Sequence, residues 1–280
     1  MQSLRLLAFV AAALGSIAIS SPAFAIDTAP ATRYVWARSL MLRAQPDGKS
    51  AQLAKIPYGA ALAIGASTDK SVPHSETIGK FTNDDKTNTV VTIDGAWQKV
   101  HWQDKDGWVF DGFLSRFPAP ADKMDADETL FAIKQFGAGK KWSWNDKQSR
   151  KLPAYAEMLK TMHAGGYTAD LGKTDGWEWT KQEFSGNAYF ASYSGYNDGS
   201  SSGEGYHNLP ISFNEAILWA QHFHDITNFT NNKLETSPVN QVTFDAGKRL
   251  SVTYLGDNDG STRTVSCTAT TCDIEDSGGD

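Results

Sequence analysis

The sequence predicts a mainly β, α+β chain: a small β-barrel followed by an α+β domain whose antiparallel sheet packs on two or three helices. Three observations carry this. Short alternating runs recur through residues 32–117, each closed by Gly, Pro or Asp turn chemistry. The stretch Phe117-Pro118-Ala119-Pro120-Ala121-Asp122 then breaks the pattern as a connector. Beyond it, strand-like segments mix with stretches that carry helix caps and a helical apolar period.

Residues 1–25 read as a secretory leader. Arg5 supplies the positive charge, Leu6 to Ile19 the short apolar run, and Ala23-Phe24-Ala25 the cleavage site. The run is too short to span a bilayer, and no later stretch approaches that length. The expected mature chain starts at Ile26 and is periplasmic or secreted, with no integral membrane segment. From Ile26 to Pro118 there are 11 Lys/Arg against 10 Asp/Glu; from Ala119 to Asp280 there are 14 against 22. The acidic second half argues against nucleic acid, which rewards clustered cations.

In the first domain, the opening segment is Leu40-Met41-Leu42-Arg43-Ala44-Gln45-Pro46-Asp47. Gln52 to Ile64 follows, with a turn at Gly59. The closing segment runs from Ala96 to Leu114: Trp97, Lys99 and His101 alternate with Gln98, Val100 and Trp102, Asp104-Lys105-Asp106-Gly107 makes a turn, and Gly107-Trp108-Val109 starts the last strand. Between them, Thr87 to Ile93 reads as an added strand and Ala66 to Thr77 as a polar loop. These pieces resemble the bacterial Src-homology-3-like (SH3b) domain, a small five-stranded barrel, over residues 32–117 with an insertion at 66–94. The resemblance implies a recognition module for cell-wall peptides or a protein partner. Of its aromatic residues, Trp97 and Trp108 are expected to fill the core, leaving Tyr58 and Trp102 as candidates for an exposed groove.

The linker is placed at 118–126 and the second domain, which resembles no recognised family, at 127–280. Asp127 to Phe136 fits either a helix or a strand. Pro153 and Gly165-Gly166 bound a helix with Tyr155, Met158, Leu159 and Met162 on one face. Ser212 and Glu215 form a capping box, with Ile211 placed to staple onto Ala216 and an apolar stripe through Trp219 and Phe223. Trp142-Ser143-Trp144, Trp177-Glu178-Trp179, Asn187 to Tyr193, Asn240 to Phe244, Leu250 to Leu255 and Thr262 to Cys267 read as strands. The Ser- and Gly-rich stretch Ser194 to Gly205 reads as a flexible loop. Cys267 and Cys272, the chain's two cysteines, sit in a hairpin where a disulfide is expected in an oxidising compartment.

Catalytic signatures are sparse. His222 and His224 stand about 200° apart around a helix axis, so they face opposite ways and do not make a helical zinc pair. With both cysteines in a disulfide, no thiol nucleophile remains, and there is no Gly-x-Ser-x-Gly elbow. Asp170, Asp175, Glu178, Glu183 and Glu204 are carboxylates available for glycoside hydrolysis, but no spacing marks a pair. Trp177 and Trp179 share a strand face and are candidates for binding a ligand by stacking, against the alternative that they fill the core. The expectation is therefore a binding protein more than an enzyme, with no cofactor and no metal. Its partner is peptidoglycan or a cell-envelope protein; the oligomeric state is left open. The alternative is a cell-envelope hydrolase using Glu178, Glu183 or Glu204 with a histidine such as His207.

Overall fold

The structure is a computed structural model; it describes residues 31–65, 70–120, 127–145, 178–196, 200–224, 226, 239–255 and 260–279. The leader, the helix expected after Pro153, Trp177, Asp170 and Asp175 lie outside the described residues.

The chain is mainly β, with antiparallel sheets and two described α-helices. The N-terminal half contributes β1 (Ala31–Val35), β2 (Ser39–Arg43), β3 (Gln52–Pro57), β4 (Ala61–Ile64), β5 (Val72–Thr82), β6 (Asn88–Trp102), β7 (Lys105–Phe110) and β8 (Leu114–Ser115). These form one sheet in the order β4-β1-β8 and another in the order β3-β2-β7-β6-β5. The two enclose Val35, Leu40, Leu42, Ile56, Leu62, Val100, Val109 and Leu114. No described ladder joins the two sheets, so the expected barrel is an open pair of sheets. The insertion explains this in part: β5 takes the second edge of β6, which is thereby committed to a long hairpin.

One reading of this half changes. Residues 72–77, expected in a polar loop, lie in the 11-residue β5. They are polar because most of this strand's side chains are exposed, yet alternation still delivers Phe81 to the core. The Gly107-Trp108-Val109 motif has a steric basis. A Cβ on Gly107 would stand 2.7 Å from Leu42 Cγ and 2.8 Å from the Arg43 carbonyl, so only glycine lets β7 approach β2 this closely.

In the second half, α1 (Glu128–Phe136) resolves the ambiguity at 127–136 as helix: Asp127 Oδ1 accepts from the Leu130 amide at 2.8 Å, an N-cap. Strands β9 (Ala138–Asn145), β10 (Glu178–Phe184), β11 (Tyr189–Tyr196) and β12 (Ser200–Leu209) follow. Then come α2 (Phe213–His224), β13 (Val239–Asp245), β14 (Arg249–Leu255), β15 (Gly260–Cys267) and β16 (Cys272–Gly279). All eight strands form one sheet, β13-β14-β15-β16-β12-β11-β10-β9. The capping box is present, with the Ser212 hydroxyl accepting from the Glu215 amide and Glu215 Oε2 from the Ser212 amide.

Residues 200–205, expected in a loop, are strand. Small residues permit this: β12 is paired on both sides, to β11 and β16, and Gly203 gives its space to the Tyr193 ring, whose Cε1 lies 2.5 Å from where a Cβ would sit. Cys267 and Cys272 face each other across β15 and β16 and are disulfide-bonded, with Cα atoms 4.0 Å apart.

The helices cover one sheet face, and one apolar core continues into the N-terminal half. Trp36 stands at the junction, its ring 5.7 Å from Phe131 and 6.4 Å from Trp219. Its indole N–H donates to the Phe117 carbonyl at 2.9 Å, so the polar atom of this buried ring is satisfied.

Candidate functional site

Beyond the C-terminal end of α2, the helix-bearing face of the sheet carries a cleft of about 450 Å³. Its lining comes from five strands: Glu178, Trp179 and Thr180 of β10; Ser192, Tyr193 and Ser194 of β11; Ser202, Gly203 and Glu204 of β12; Asp276 and Gly278 of β16; Ser261 of β15. Strand register explains the polar side chains, while Trp179, Tyr193 and Gly203 alternate to the opposite face. Thr180 is opposite Ser192, Ser192 opposite Glu204, and Glu204 opposite Asp276, a cross-strand row of polar side chains on one face. Two residues away along each strand, Glu178, Ser194, Ser202, Gly278 and Ser261 make a second row. The same alternation, followed the other way, brings Gln182, Phe190, Tyr206 and Ile274 under the helices. Thus one sheet face is core at one end and polar cleft at the other.

A charged network closes the boundary between the two ends. His224 Nε2 lies 3.1 Å from Glu128 Oε1, and His224 Nδ1 lies 3.9 Å from Asp276 Oδ2. Arg263 Nε donates to Asp276 Oδ2 at 2.8 Å, and its guanidinium also reaches the His224 carbonyl. The Trp219 indole N–H donates to Glu128 as well. Burial works against the His224 charge, but the hydrogen bond and charge of Glu128, helped by Asp276 and Glu204, outweigh it and raise the imidazole above its ordinary value. Glu204 moves up too. Its exposed side chain keeps part of its hydration, yet the crowded cleft wall disfavours its charge; Glu128 and Asp276 add repulsion that His224 and Arg263 oppose.

The sequence candidates are distributed as follows. Glu178 and Glu204 both line the cleft, two strands apart. His207 and Glu183 do not join them. His207 is buried against the other face, stacked on Tyr189 at 4.7 Å, with Nδ1 3.7 Å from Glu275 and 4.0 Å from Asp273. Burial lowers its pKa. Glu183 pairs with Lys181 at 3.3 Å, and that ammonium sits over the Tyr189 ring. Trp179 is 3% exposed, which leaves no ring face open for stacking on a ligand.

Tyr58 is held between the two halves. Its hydroxyl donates to the Pro120 carbonyl at 3.0 Å and lies 3.2 Å from His222 Nδ1, with the two rings stacked. Trp102 is half-buried against the N-terminal core. The two helix histidines diverge as their spacing requires: His222 turns to Tyr58 and His224 to the cleft network. Glu128, Arg263 and Asp276 carry no sequence signal, since α1, β15 and β16 bring them together only in the fold. Among the described residues, no group of three or more His, Cys, Asp or Glu side chains is placed to hold a metal ion. No described helix is long and apolar enough to cross a membrane. Comparison with known proteins gives no match to a family model, to a curated protein or to a solved structure.

Proposed function

We propose that the chain is an extracytoplasmic binding protein of the cell envelope, that the cleft is its ligand site, and that the N-terminal half is an SH3b-like module braced against it. The observation that carries this is the cleft itself: polar groups from five strands converge on a concavity sized for a small ligand or a short stretch of polymer. The leader-like N-terminus and the Cys267–Cys272 disulfide support placement outside the cytoplasm. The Tyr58–His222 contact moves the proposed site away from the aromatic groove that the SH3b resemblance implies. Co-sedimentation of the mature chain with purified cell-wall sacculi tests the reading. Retention that falls when Glu204→Gln is introduced supports it, whereas a chain that stays in the supernatant across a range of salt overturns it.

A second reading is favoured by one observation. Glu178 and Glu204 share the cleft, and Glu204 is shifted towards its protonated form, as a general acid would be. The chain would then hydrolyse the polymer it binds. Release of new reducing ends from sacculi, abolished by Glu204→Gln while retention persists, is the signature of that activity.

A further inference from the structure

We infer that the cleft takes a short stretch of non-anionic sugar chain, gripped by carboxylate acceptors, one of them fixed, and by a ladder of hydroxyls; this rests on the reading of the cleft as the binding site. The lining supplies two kinds of group. Glu178, Glu204 and Asp276 are acceptors, and Ser192, Ser202 and Ser261 both donate and accept. A sugar ring presents neighbouring hydroxyls with the complementary capacity, and a carboxylate accepts from two of them at once. Charge-assisted bonds of this kind are stronger than neutral ones. Asp276 is held in place by Arg263 at 2.8 Å, so one acceptor is oriented before a ligand arrives.

Other ligand classes fit less well. No Lys, Arg or His is among the described lining residues; of the two cationic groups at the cleft's boundary, Arg263 is engaged by Asp276 and the His224 carbonyl, and His224 by Glu128. Among the described residues, a phosphate, sulfate or carboxylated ligand would face three carboxylates, with Arg263 and His224 already paired to Asp276 and Glu128. A hydrocarbon ligand would strip water from hydroxyls and carboxylates and return no hydrogen bonds. An amine-bearing peptide is the strongest competitor. Against it, hydroxyl-bearing residues stand two apart on β11, at Ser192 and Ser194, and again at Ser202 on β12. The capacity is spread along the cleft, which suits a ligand with hydroxyls along its length better than one with a single ammonium.

The test is calorimetric titration of the mature chain with four probes: an N-acetylglucosamine tetramer, maltotetraose, a galacturonate tetramer and a lysine-bearing pentapeptide. At least one neutral tetrasaccharide is expected to bind at least tenfold more tightly than the galacturonate tetramer and the peptide. Glu204→Gln and Ser202→Ala are each expected to weaken that binding, Glu204→Gln at least tenfold, with unchanged far-ultraviolet dichroism. Tightest binding of the peptide or galacturonate, no binding of either neutral sugar, or indifference to both substitutions overturns the inference. If sacculi are still retained in any of those cases, the binding-protein reading stands without it. If sacculi are not retained by the unaltered chain, both fall.

Discussion

The Glu215 carboxylate divides its two oxygens between the halves of the molecule: Oε2 caps its own helix at Ser212, while Oε1 accepts the Arg116 backbone amide at 3.0 Å. The Ser115 hydroxyl also reaches Oε1 at 3.3 Å, and the Arg116 guanidinium adds an ion pair at 3.5 Å. Glu215 is nearly buried. Glu215→Ala is therefore expected to lose a capping interaction of about 1 kcal/mol and strand buried partners at about 1–3 kcal/mol. Urea unfolding should show a loss of about 3 kcal/mol, with Glu215→Gln falling between it and the unaltered chain. A loss no larger than that of Asp127→Ala, an N-cap with an exposed hydrogen bond, would leave the bridge to Arg116 without energetic weight.

Asn83 makes a second tie. Its side-chain amide accepts from the Val242 N–H at 2.8 Å and donates to the Val242 carbonyl at 3.3 Å, and the Thr89 hydroxyl donates to the same carbonyl at 3.0 Å. Asn83→Ala leaves the buried Val242 N–H without its acceptor, at a cost of about 1–3 kcal/mol. Hydrogen exchange at the Val242 amide should accelerate far more than exchange at Val252, the residue opposite it on β14. Equal acceleration at both would mean that the whole sheet is loosened and that the clamp is not local.

The raised pKa of His224 sets a pH dependence. Protonation is more favourable in the folded chain than in the unfolded chain, so the contribution of this ion pair is fully present below the ordinary value of 6.5. It is lost as pH rises through the higher folded value. Melting temperatures followed from pH 5 to 9 should show the deficit of His224→Gln, relative to the unaltered chain, shrinking towards alkaline pH. A deficit that grows with pH would reverse the sign and contradict the pairing with Glu128.

Reducing the Cys267–Cys272 bond opens a short loop, worth about 2 kcal/mol in the chain-entropy model. Cys267→Ser with Cys272→Ser should lower unfolding stability by about that amount. The unaltered chain should match the variant once reductant is added, and a persistent difference would point to packing of the buried Cys272 sulfur.

Several of these relationships can be read in the sequence because they are local. Ser212 and Glu215 are one turn apart, the cysteines flank a hairpin, and the histidine spacing on α2 fixes their divergence. The cleft is not legible there because its carboxylates come from positions 178, 204 and 276, joined only by sheet register. Ser and Gly make residues 200–205 resemble a loop, although small side chains are what let Tyr193 lie over Gly203 in a strand paired on both sides there. Tyr58 reads as a groove residue because its partner His222 lies 164 positions away.

The β5–β6 hairpin has a consequence for the solution behaviour of the chain. Among the described residues the eight-stranded sheet ends at β13 and β9, and the main-chain groups of an edge strand invite edge-to-edge addition of another chain. At β13, Asn83 and Thr89 occupy the donor and acceptor of Val242 with side chains, which cannot propagate a ladder. What looks in the sequence like an interruption of a small β module thus covers part of this edge. Loss of the Asn83 and Thr89 contacts would be expected to show as self-association alongside the lost stability.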